Sequence, residues 1–290
     1  MVDAAASLEQ KRGKTFGFSL AFCASTGRTA TMFIAKTLNT LPDILATHEG
    51  QLVEETKPAI LPLVNYHNRK AWYDPGYATR IAEQMRSKAV LAKAAGDAST
   101  FVDIAFNNTP FMEAFANLHP EAKFLAIFRR CEGFVRSATI VTGEDMQPAG
   151  WPDRQKPLTD REKFIELGRL KPSEDSEFGK VWDEWTGIQR NIWLWSAVNK
   201  RLFHFIQDSN TRHKLLFEDL VDEPRKFWEA LLGAIGGNSH ENVESCAALS
   251  AHRTNHRAAY QIGAVADWSK AERRLYEKLA LPLEEKIYDR

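Results

Sequence analysis

Cysteine is scarce in this 290-residue sequence, and long apolar runs are missing. Only three cysteines are present, Cys23, Cys131 and Cys246, and their odd number and wide spacing offer neither a disulfide framework nor a Cys-x-x-Cys metal site. No apolar run approaches the roughly 18 residues that a membrane helix needs, so we expect no integral membrane segment. The polar stretch 1–14 has no hydrophobic signal core, and we therefore expect a cytoplasmic protein.

Net charge is also absent, because 38 basic side chains are matched by 38 acidic ones. A chain without an overall basic field is a poor non-specific binder of nucleic acid, so we expect no nucleic-acid partner. Any site for an anion must therefore be local. The sequence also has no His-Glu-x-x-His pattern and no cluster of carboxylates, so we expect no metal ion.

The order of predicted elements indicates an α/β protein with a parallel sheet. Residues 15–23 alternate, with Phe16, Phe18, Leu20 and Phe22 on one face and small side chains on the other, which predicts a strand. A turn, a helix over 29–39 and a short strand over 44–46 follow. This strand–loop–helix–strand order is typical of parallel sheets.

The same order recurs along the chain. We predict further strands over 101–105, 123–128 and 214–217, and helices over 110–118, 132–140, 182–206 and 224–235. Residues 142–180 are rich in proline and charge and form an irregular insert. We therefore expect a single domain over 1–290, with a flexible lead-in over 1–14.

The loop over residues 23–31, with the sequence Cys-Ala-Ser-Thr-Gly-Arg-Thr-Ala-Thr, links the first strand to the first helix. Backbone N–H groups and the positive end of a helix make such a loop an anion site. Arg28 adds charge, and Thr26, Thr29 and Thr31 add hydroxyl donors. The GxxxxGK[ST] pattern is absent, so a nucleoside triphosphate with Mg²⁺ is not the natural ligand. The alternative is an ordinary helix cap.

A second cluster follows the buried strand over 123–128. Arg129 leaves the carboxyl end of that strand, where ligands bind in open α/β sheets. Ser137 lies about two helical turns further on. A guanidinium and a hydroxyl suit a phosphate monoester. The alternative is a solvated arginine that pairs with Glu132 or another acidic neighbour.

These two motifs together resemble the sulfotransferase family that uses 3′-phosphoadenosine-5′-phosphosulfate. The run 28–31, Arg-Thr-Ala-Thr, is similar to the family's 5′-phosphosulfate loop, and Arg129 with Ser137 matches the spacing of its 3′-phosphate motif. The Phe-Glu-Asp run from Phe217 resembles a segment whose aromatic lies near the adenine. The run 263–268 is similar to the family's Gly-x-x-Gly-Asp-Trp element. The resemblance covers about 15–140 and 180–270.

Two departures bear on the branch of the family. Ala30 replaces the usual glycine of the loop, which narrows the room for the backbone to approach a phosphate. Gln261 and Ile262 stand where the cytosolic branch has an Arg-Lys pair, so Arg253 or Arg257 is the candidate for that role. The resemblance therefore implies a bacterial or Golgi-type branch, of the carbohydrate or tyrosylprotein type, rather than the cytosolic phenol and steroid branch.

What the resemblance implies is a three-layer α/β/α fold of P-loop architecture and transfer of a sulfonyl group from 3′-phosphoadenosine-5′-phosphosulfate (PAPS) to a hydroxyl acceptor, without a metal. We expect a carbohydrate or glycolipid acceptor, with a peptide also open, and the insert 142–180 facing it. Glu49 is our candidate general base, His48 its reserve, and Arg28 stabilises the leaving group. The residues implied in donor binding are Ser25, Thr26, Gly27, Arg28, Thr29, Ala30, Thr31, Arg129, Ser137, Phe217, Arg253 and Arg257.

Other functions stay open at this point. One is a kinase-like phosphotransferase, which the missing Gly-Lys-Ser/Thr run and the lack of an obvious strand-end aspartate for Mg²⁺ disfavour. Another is a non-catalytic nucleotide-binding module, which the Ala30 replacement favours. His48 and Glu49 also have a plain structural alternative, in which they only satisfy a loop.

Overall fold

The computed structural model describes residues 17–53, 59–139, 150–152, 166, 168–207, 209–237, 239–251 and 262–289. Five strands form one parallel sheet in the order β2-β3-β1-β4-β5. Their bounds are β1 (Ser19–Ser25), β2 (Ile44–His48), β3 (Thr100–Ile104), β4 (Lys123–Phe128) and β5 (Arg212–Leu216). The chain leaves β1 toward β2 on one side and later toward β4 on the other. The carboxyl ends of β1 and its neighbours therefore lie where the strand order reverses, which is where open α/β sheets bind ligands.

Helices cover both faces of this sheet, so the predicted three-layer α/β fold is confirmed. The α-helices of the described residues are α1 (Thr31–Leu38), α2 (Asn68–Tyr73), α3 (Pro75–Met85), α4 (Lys88–Ala95), α5 (Met112–Leu118), α6 (Cys131–Ala138), α7 (Gly187–Ile206), α8 (Phe217–Asp222), α9 (Pro224–Ile235), α10 (His240–Ala251), α11 (Lys270–Leu279) and α12 (Leu281–Tyr288). Short 3₁₀ helices lie at Asn65–His67, Phe106–Phe111, Gly179–Glu184 and Val265–Asp267.

The alternation in β1 divides the core into two layers. Leu20 and Phe22 face a layer shared with α3, α5 and α7, and the ring of Phe22 stacks on Phe115 with centroids 4.5 Å apart. Ala21 and Cys23 face the other layer, which holds α1, α9 and α10. Because these side chains are small, the second layer of helices lies close to the strand. The alternation predicted for this strand is thus confirmed for its described residues.

Several predicted boundaries differ from the observed ones. The first helix begins at Thr31 rather than at 29, because Ala30 has a left-handed backbone (φ 59°) that an α-helix cannot contain. The long helix begins at Gly187 rather than at 182. The Thr186 side chain accepts a bond from the backbone N–H of Gln189, and the Gln189 side chain bonds back, which is a capping box that starts the helix there.

The remaining differences are shifts of one to four residues and several helices that the sequence analysis does not predict. The first strand begins at Ser19 and extends two residues past the predicted end to Ser25, while the strand predicted over 214–217 is Arg212–Leu216. The helix predicted over 110–118 starts at Met112 because a 3₁₀ helix holds the preceding residues. The unpredicted helices are α2 to α4, α8 and α10 to α12. The lead-in 1–14 lies outside the described residues. Within the described ranges, no helix is both long and apolar enough to cross a membrane.

Candidate active site

The loop between β1 and α1 has an unusual backbone. Gly27 (φ 84°), Arg28 (φ 57°) and Ala30 (φ 59°) all lie in the left-handed region. Left-handed residues other than glycine each cost about 1–2 kcal/mol, so the loop keeps this shape against its local preference. Ser25 supports it, since its hydroxyl accepts from the backbone N–H of Gly27 (2.9 Å) and from the hydroxyl of Thr29 (2.9 Å).

Helix α1 starts directly from this loop without a side-chain cap. Ala30 occupies the N-cap position and has no polar side chain to offer. The first intrahelical bond runs from Ile34 N to Ala30 O (2.9 Å), so the N–H groups of the first turn have no partner within the helix. These N–H groups give the loop a positive end of the helix dipole.

The two phosphate motifs meet at this edge of the sheet. Arg28 Nε donates to Ser137 Oγ at 2.9 Å, across 109 residues of sequence. Arg129 Nη1 donates to the backbone carbonyl of Arg28. Two guanidinium groups, a serine hydroxyl and the loop backbone therefore form one cluster, although β1 and β4 bring them from distant parts of the chain.

Arg129 is almost fully buried. Its guanidinium lies over the ring of Phe217, 4.4 Å from the centroid, and Trp195 Nε1 donates to its backbone carbonyl (2.7 Å). A methyl group on Gly133 would lie 3.0 Å from Arg129 Nε, so the glycine leaves room for the arginine. Phe217, which the sequence analysis associates with the adenine, thus stacks on the arginine of the second motif.

The start of α6 is bound by two carboxylates. Arg130 N donates to Glu218 Oε1 (2.9 Å), and Cys131 N donates to Glu284 Oε1 (2.6 Å). Tyr288 holds Glu218 in place through a hydroxyl donation of 2.7 Å. Because carboxylates already satisfy these N–H groups, an anion near α6 would be bound by the arginine and serine side chains rather than by the end of this helix.

His48 and Glu49 lie at the carboxyl end of β2, on a strained turn. Glu49 has φ 54° and its backbone N–H donates to Ile104 O (2.9 Å), which ties the turn to β3. Gly50 has φ 79°, and a methyl group there would lie 2.9 Å from the Leu61 carbonyl. The turn therefore requires glycine at position 50 and holds the Glu49 side chain in a defined place.

Burial shifts the pKa values of both residues. It raises the pKa of Glu49 to about 7 and lowers the pKa of His48 to about 4, against which the nearby Asp103 carboxylate raises it slightly. His48 Nε2 lies 3.1 Å from the hydroxyl of Thr31 in the loop and 3.7 Å from Glu49 Oε1. Near neutral pH the imidazole is uncharged and the carboxyl is close to its midpoint, which suits a general base.

A buried ion pair lies beside the carboxyl ends of β2 and β3. Arg86 Nε donates to Asp103 Oδ2 at 2.7 Å, and both side chains are almost fully buried. Thr47 donates to the other carboxylate oxygen (3.0 Å). Asp103 lies on β3 next to the end of β2, so the pair fixes the relation between the strand that ends in His48 and its neighbour.

A side cavity of about 90 Å³ opens between Glu49 and the start of the loop. Ser25, Thr26 and Glu49 form the part of its lining that belongs to the site already described. The other lining residues are Asn65, Asn68, Phe106, Asn107, Pro110, Gly168, Arg169, Leu170, Leu194 and Val198. Gly168 to Leu170 belong to the insert 142–180, so part of that insert borders the cavity next to the candidate base.

The structure brings most of the singled-out residues to one edge of the sheet, while two of them lie outside its described part. Arg253 and Arg257 fall in the stretch 252–261, which is not described. The element over 263–268 is a self-contained turn, in which Trp268 Nε1 donates to Gly263 O (3.0 Å). The described residues bring no group of three or more histidine, cysteine or acidic side chains together. The three cysteines are buried and unpaired with one another.

Sequence reasoning missed the residues that line the side cavity away from the loop. Asn65, Asn68 and Asn107 belong to no motif. The one available signal was position, because Asn107 comes shortly after the carboxyl end of a predicted strand. Leu194 and Val198 are four residues apart on α7 and read as ordinary core positions.

Comparison with solved structures identifies the fold. The chain is similar to the sulfotransferase STF9 of Mycobacterium avium, with a TM-score of 0.51 and 11% identity over 99% of this chain and 81% of that one. For the sulfotransferase domain of the Synechococcus PCC 7002 olefin synthase, the TM-score is 0.46 and the identity is 12%, over 94% of this chain and 95% of that domain. No protein-family model and no curated protein matches the chain. The architecture is thus the sulfotransferase α/β fold.

Proposed function

We propose that the protein is a sulfotransferase that moves the sulfonyl group of PAPS to a hydroxyl acceptor. The single observation that carries the proposal is the cluster in which Arg28 donates to Ser137 while Arg129 donates to the Arg28 carbonyl. These residues are the ones whose types and spacing resemble the two phosphate motifs of the sulfotransferases. Because both motifs lie together at one edge of the sheet, a single nucleotide with two anionic groups can contact both of them.

The donor set fits such a nucleotide. Arg28, Arg129 and the hydroxyls of Thr31 and Ser137 offer cationic and neutral donors around the uncapped start of α1. When bound, PAPS supplies a sulfonyl group on a phosphate that leaves with its negative charge. Phe217 remains the aromatic side chain beside the adenine, and Arg253 or Arg257 remains the candidate for a further contact to the 3′-phosphate.

The chain's own residues then divide the chemistry. The Arg28 guanidinium and the first N–H groups of α1 stabilise negative charge that develops on the leaving side. Glu49, across the cavity entrance, accepts the proton of the acceptor hydroxyl at its carboxylate oxygen. The pKa of about 7 leaves a useful fraction of Glu49 deprotonated near neutral pH.

Glu49 is favoured over His48 as the base. It lines the side cavity, whereas His48 does not, and the His48 ring is engaged by the Thr31 hydroxyl at 3.1 Å. We assign His48 the role of positioning Thr31 and the loop. In this proposal the acceptor is a carbohydrate or glycolipid, because the loop sequence resembles the bacterial and Golgi branches. We also propose that the protein is cytoplasmic, which its widely spaced, unpaired cysteines favour.

The kinase-like alternative is less well supported. Asp103, the acidic residue on a strand next to the site, has its carboxylate engaged by Arg86 and Thr47 and is not offered to Mg²⁺. The non-catalytic alternative has the replacement of the usual loop glycine by Ala30 in its favour, but it gives no role to Glu49, which lines the side cavity.

Calorimetric titration with adenosine 3′,5′-bisphosphate, beside ATP with Mg²⁺, tests the proposal. We expect micromolar binding of the bisphosphate and much weaker binding of ATP. A protein that binds neither has only structural phosphate motifs, and one that prefers Mg²⁺-ATP is a phosphotransferase. In either case the proposal fails.

A further inference from the structure

The side cavity determines which hydroxyl compounds can reach Glu49, and this inference rests on the proposed function. The cavity has Glu49 and the first loop residues at one end. An acceptor hydroxyl must lie between that carboxylate and the loop. The size and polarity of the cavity lining therefore limit the part of the acceptor that carries the hydroxyl.

The cavity is small. Its volume of about 90 Å³ is below the roughly 150 Å³ of an engineered protein cavity that is known to hold benzene. From this comparison we expect a hydroxymethyl group with its neighbouring carbon to enter the cavity and a phenolic ring to be excluded.

The lining has one polar and one apolar side. Asn65, Asn68 and Asn107 contribute amides, and the side-chain oxygen of Asn65 is buried without a hydrogen bond from any described residue. A second hydroxyl on the acceptor would satisfy that oxygen, which is otherwise costly to bury. Leu194 and Val198, one turn apart on α7, supply the apolar side.

Hydrogen bonds hold the insert side of the wall in place. Arg69 donates to the backbone carbonyls of Arg169 (2.8 Å) and Glu166 (2.6 Å), and the Tyr73 hydroxyl donates to Lys171 O (2.6 Å). Trp151 Nε1 donates to Leu170 O (3.0 Å).

The backbone of the insert at Gly168 also lies close to the backbone of Asn65. A methyl group there would lie 2.2 Å from Asn65 O, so the insert is in direct backbone contact with the amide side of the cavity. A wall tied at this many points does not widen easily to admit a larger ring.

We infer that the side cavity takes the end of a slim aliphatic alcohol that carries a second hydroxyl beside the reacting one, and that it excludes phenols. The acceptor class is therefore a polyol or a sugar with an exposed hydroxymethyl arm. Asn65 recognises the second hydroxyl, and Val198 with Leu194 sets the width.

The first test compares acceptors for the wild-type protein. Turnover of PAPS is followed with glycerol, methyl β-glucopyranoside, 1-propanol and phenol, and bisphosphate binding is measured on the same preparation. We expect turnover with glycerol and the glucoside, about tenfold less with 1-propanol, which lacks the second hydroxyl, and none with phenol. Phenol turnover equal to that of glycerol, or no turnover with any alcohol while the bisphosphate binds, overturns the inference and leaves the donor site intact.

The second test widens the cavity. Val198→Ala removes two methyl groups from the lining, and we expect phenol turnover to rise at least about tenfold above the background rate measured with the wild type. Val243→Ala is the matched control, because it removes the same atoms from an equally buried position in the other layer of the core. An equal gain in both variants overturns the inference.

The third test concerns the amide. Asn65→Leu keeps the approximate shape and removes the polar group, so glycerol should lose its advantage over 1-propanol while bisphosphate affinity stays unchanged. A retained preference for glycerol contradicts the role of Asn65. Loss of bisphosphate binding in the wild type would instead remove the proposed function and this inference together.

Discussion

On the side of the site formed by β1, β4 and α6, the two guanidinium groups of Arg28 and Arg129 lie together, whereas on the side formed by β2 burial disfavours the charged forms of His48 and Glu49. Arg28 donates to Ser137, and Arg129 donates to the Arg28 carbonyl. His48 and Glu49 lose charge to burial, with pKa values of about 4 and about 7. The cationic side suits a bound anion, and the desolvated side suits removal of a proton.

Of the changes to the two sides of the site, removing the proposed base Glu49 should reduce turnover the most. Glu49→Gln keeps the shape of the side chain and removes its proton acceptor, so we expect turnover to fall by about 10²- to 10⁴-fold. Calorimetry should give an unchanged affinity for adenosine 3′,5′-bisphosphate. If His48→Ala shows this pattern and Glu49→Gln does not, the two roles are reversed.

The pH dependence of turnover sharpens the same point. Glu49 with a pKa of about 7 is protonated and inactive below that value, so kcat/KM should rise with pH through about 7 and then level off. A rising limb centred near pH 4.5, the ordinary value for a glutamate, would mean that Glu49 is not desolvated in the working enzyme.

The cationic side should respond strongly to loss of Arg28. Arg28→Ala removes the charge that stabilises the leaving side, and we expect turnover to fall by about 10²- to 10³-fold. Arg225→Ala is the control, because Arg225 is an exposed arginine on α9 whose described ion pairs are with Glu229 and Glu244. Near-normal turnover in Arg28→Ala would make the loop a structural cap.

Loss of Arg129 should affect binding more than chemistry. Charge-assisted hydrogen bonds contribute about 1.5–3 kcal/mol, so Arg129→Ala should weaken bisphosphate affinity by about 10- to 100-fold by calorimetry. An unchanged affinity would remove Arg129 from the donor site and leave its contacts with Phe217 and the Arg28 carbonyl as purely structural.

The smallest effect concerns the strained loop itself. Ala30 has φ 59°, which glycine adopts without penalty, so Ala30→Gly should raise the free energy of unfolding by about 1 kcal/mol in urea titrations. Ala92→Gly, on the exposed face of α4, should lower it by about the same amount. A loss of stability in both variants would mean that the left-handed turn is not a cost to the fold.

Local sequence rules predicted much of the framework. The alternation in β1, the apolar run of β4 and the proline and glycine that bound α9 each determine an element through its own residues. Rules of this kind failed where backbone conformation or capping decided the boundary, as at Ala30 and Thr186. They also missed α2 to α4, α8 and α10 to α12.

The two sides of the candidate site also differed in how far the sequence predicted them. The sequence by itself determined that Arg28 and Arg129 follow parallel strands, because the carboxyl ends of such strands share one edge. Only the tertiary structure decided that Arg28 donates to Ser137, that burial brings the pKa of Glu49 to about 7, and that Asn65 and Val198 line one cavity with it. Desolvation and cavity shape depend on neighbours from distant segments, and no single stretch of sequence contains them.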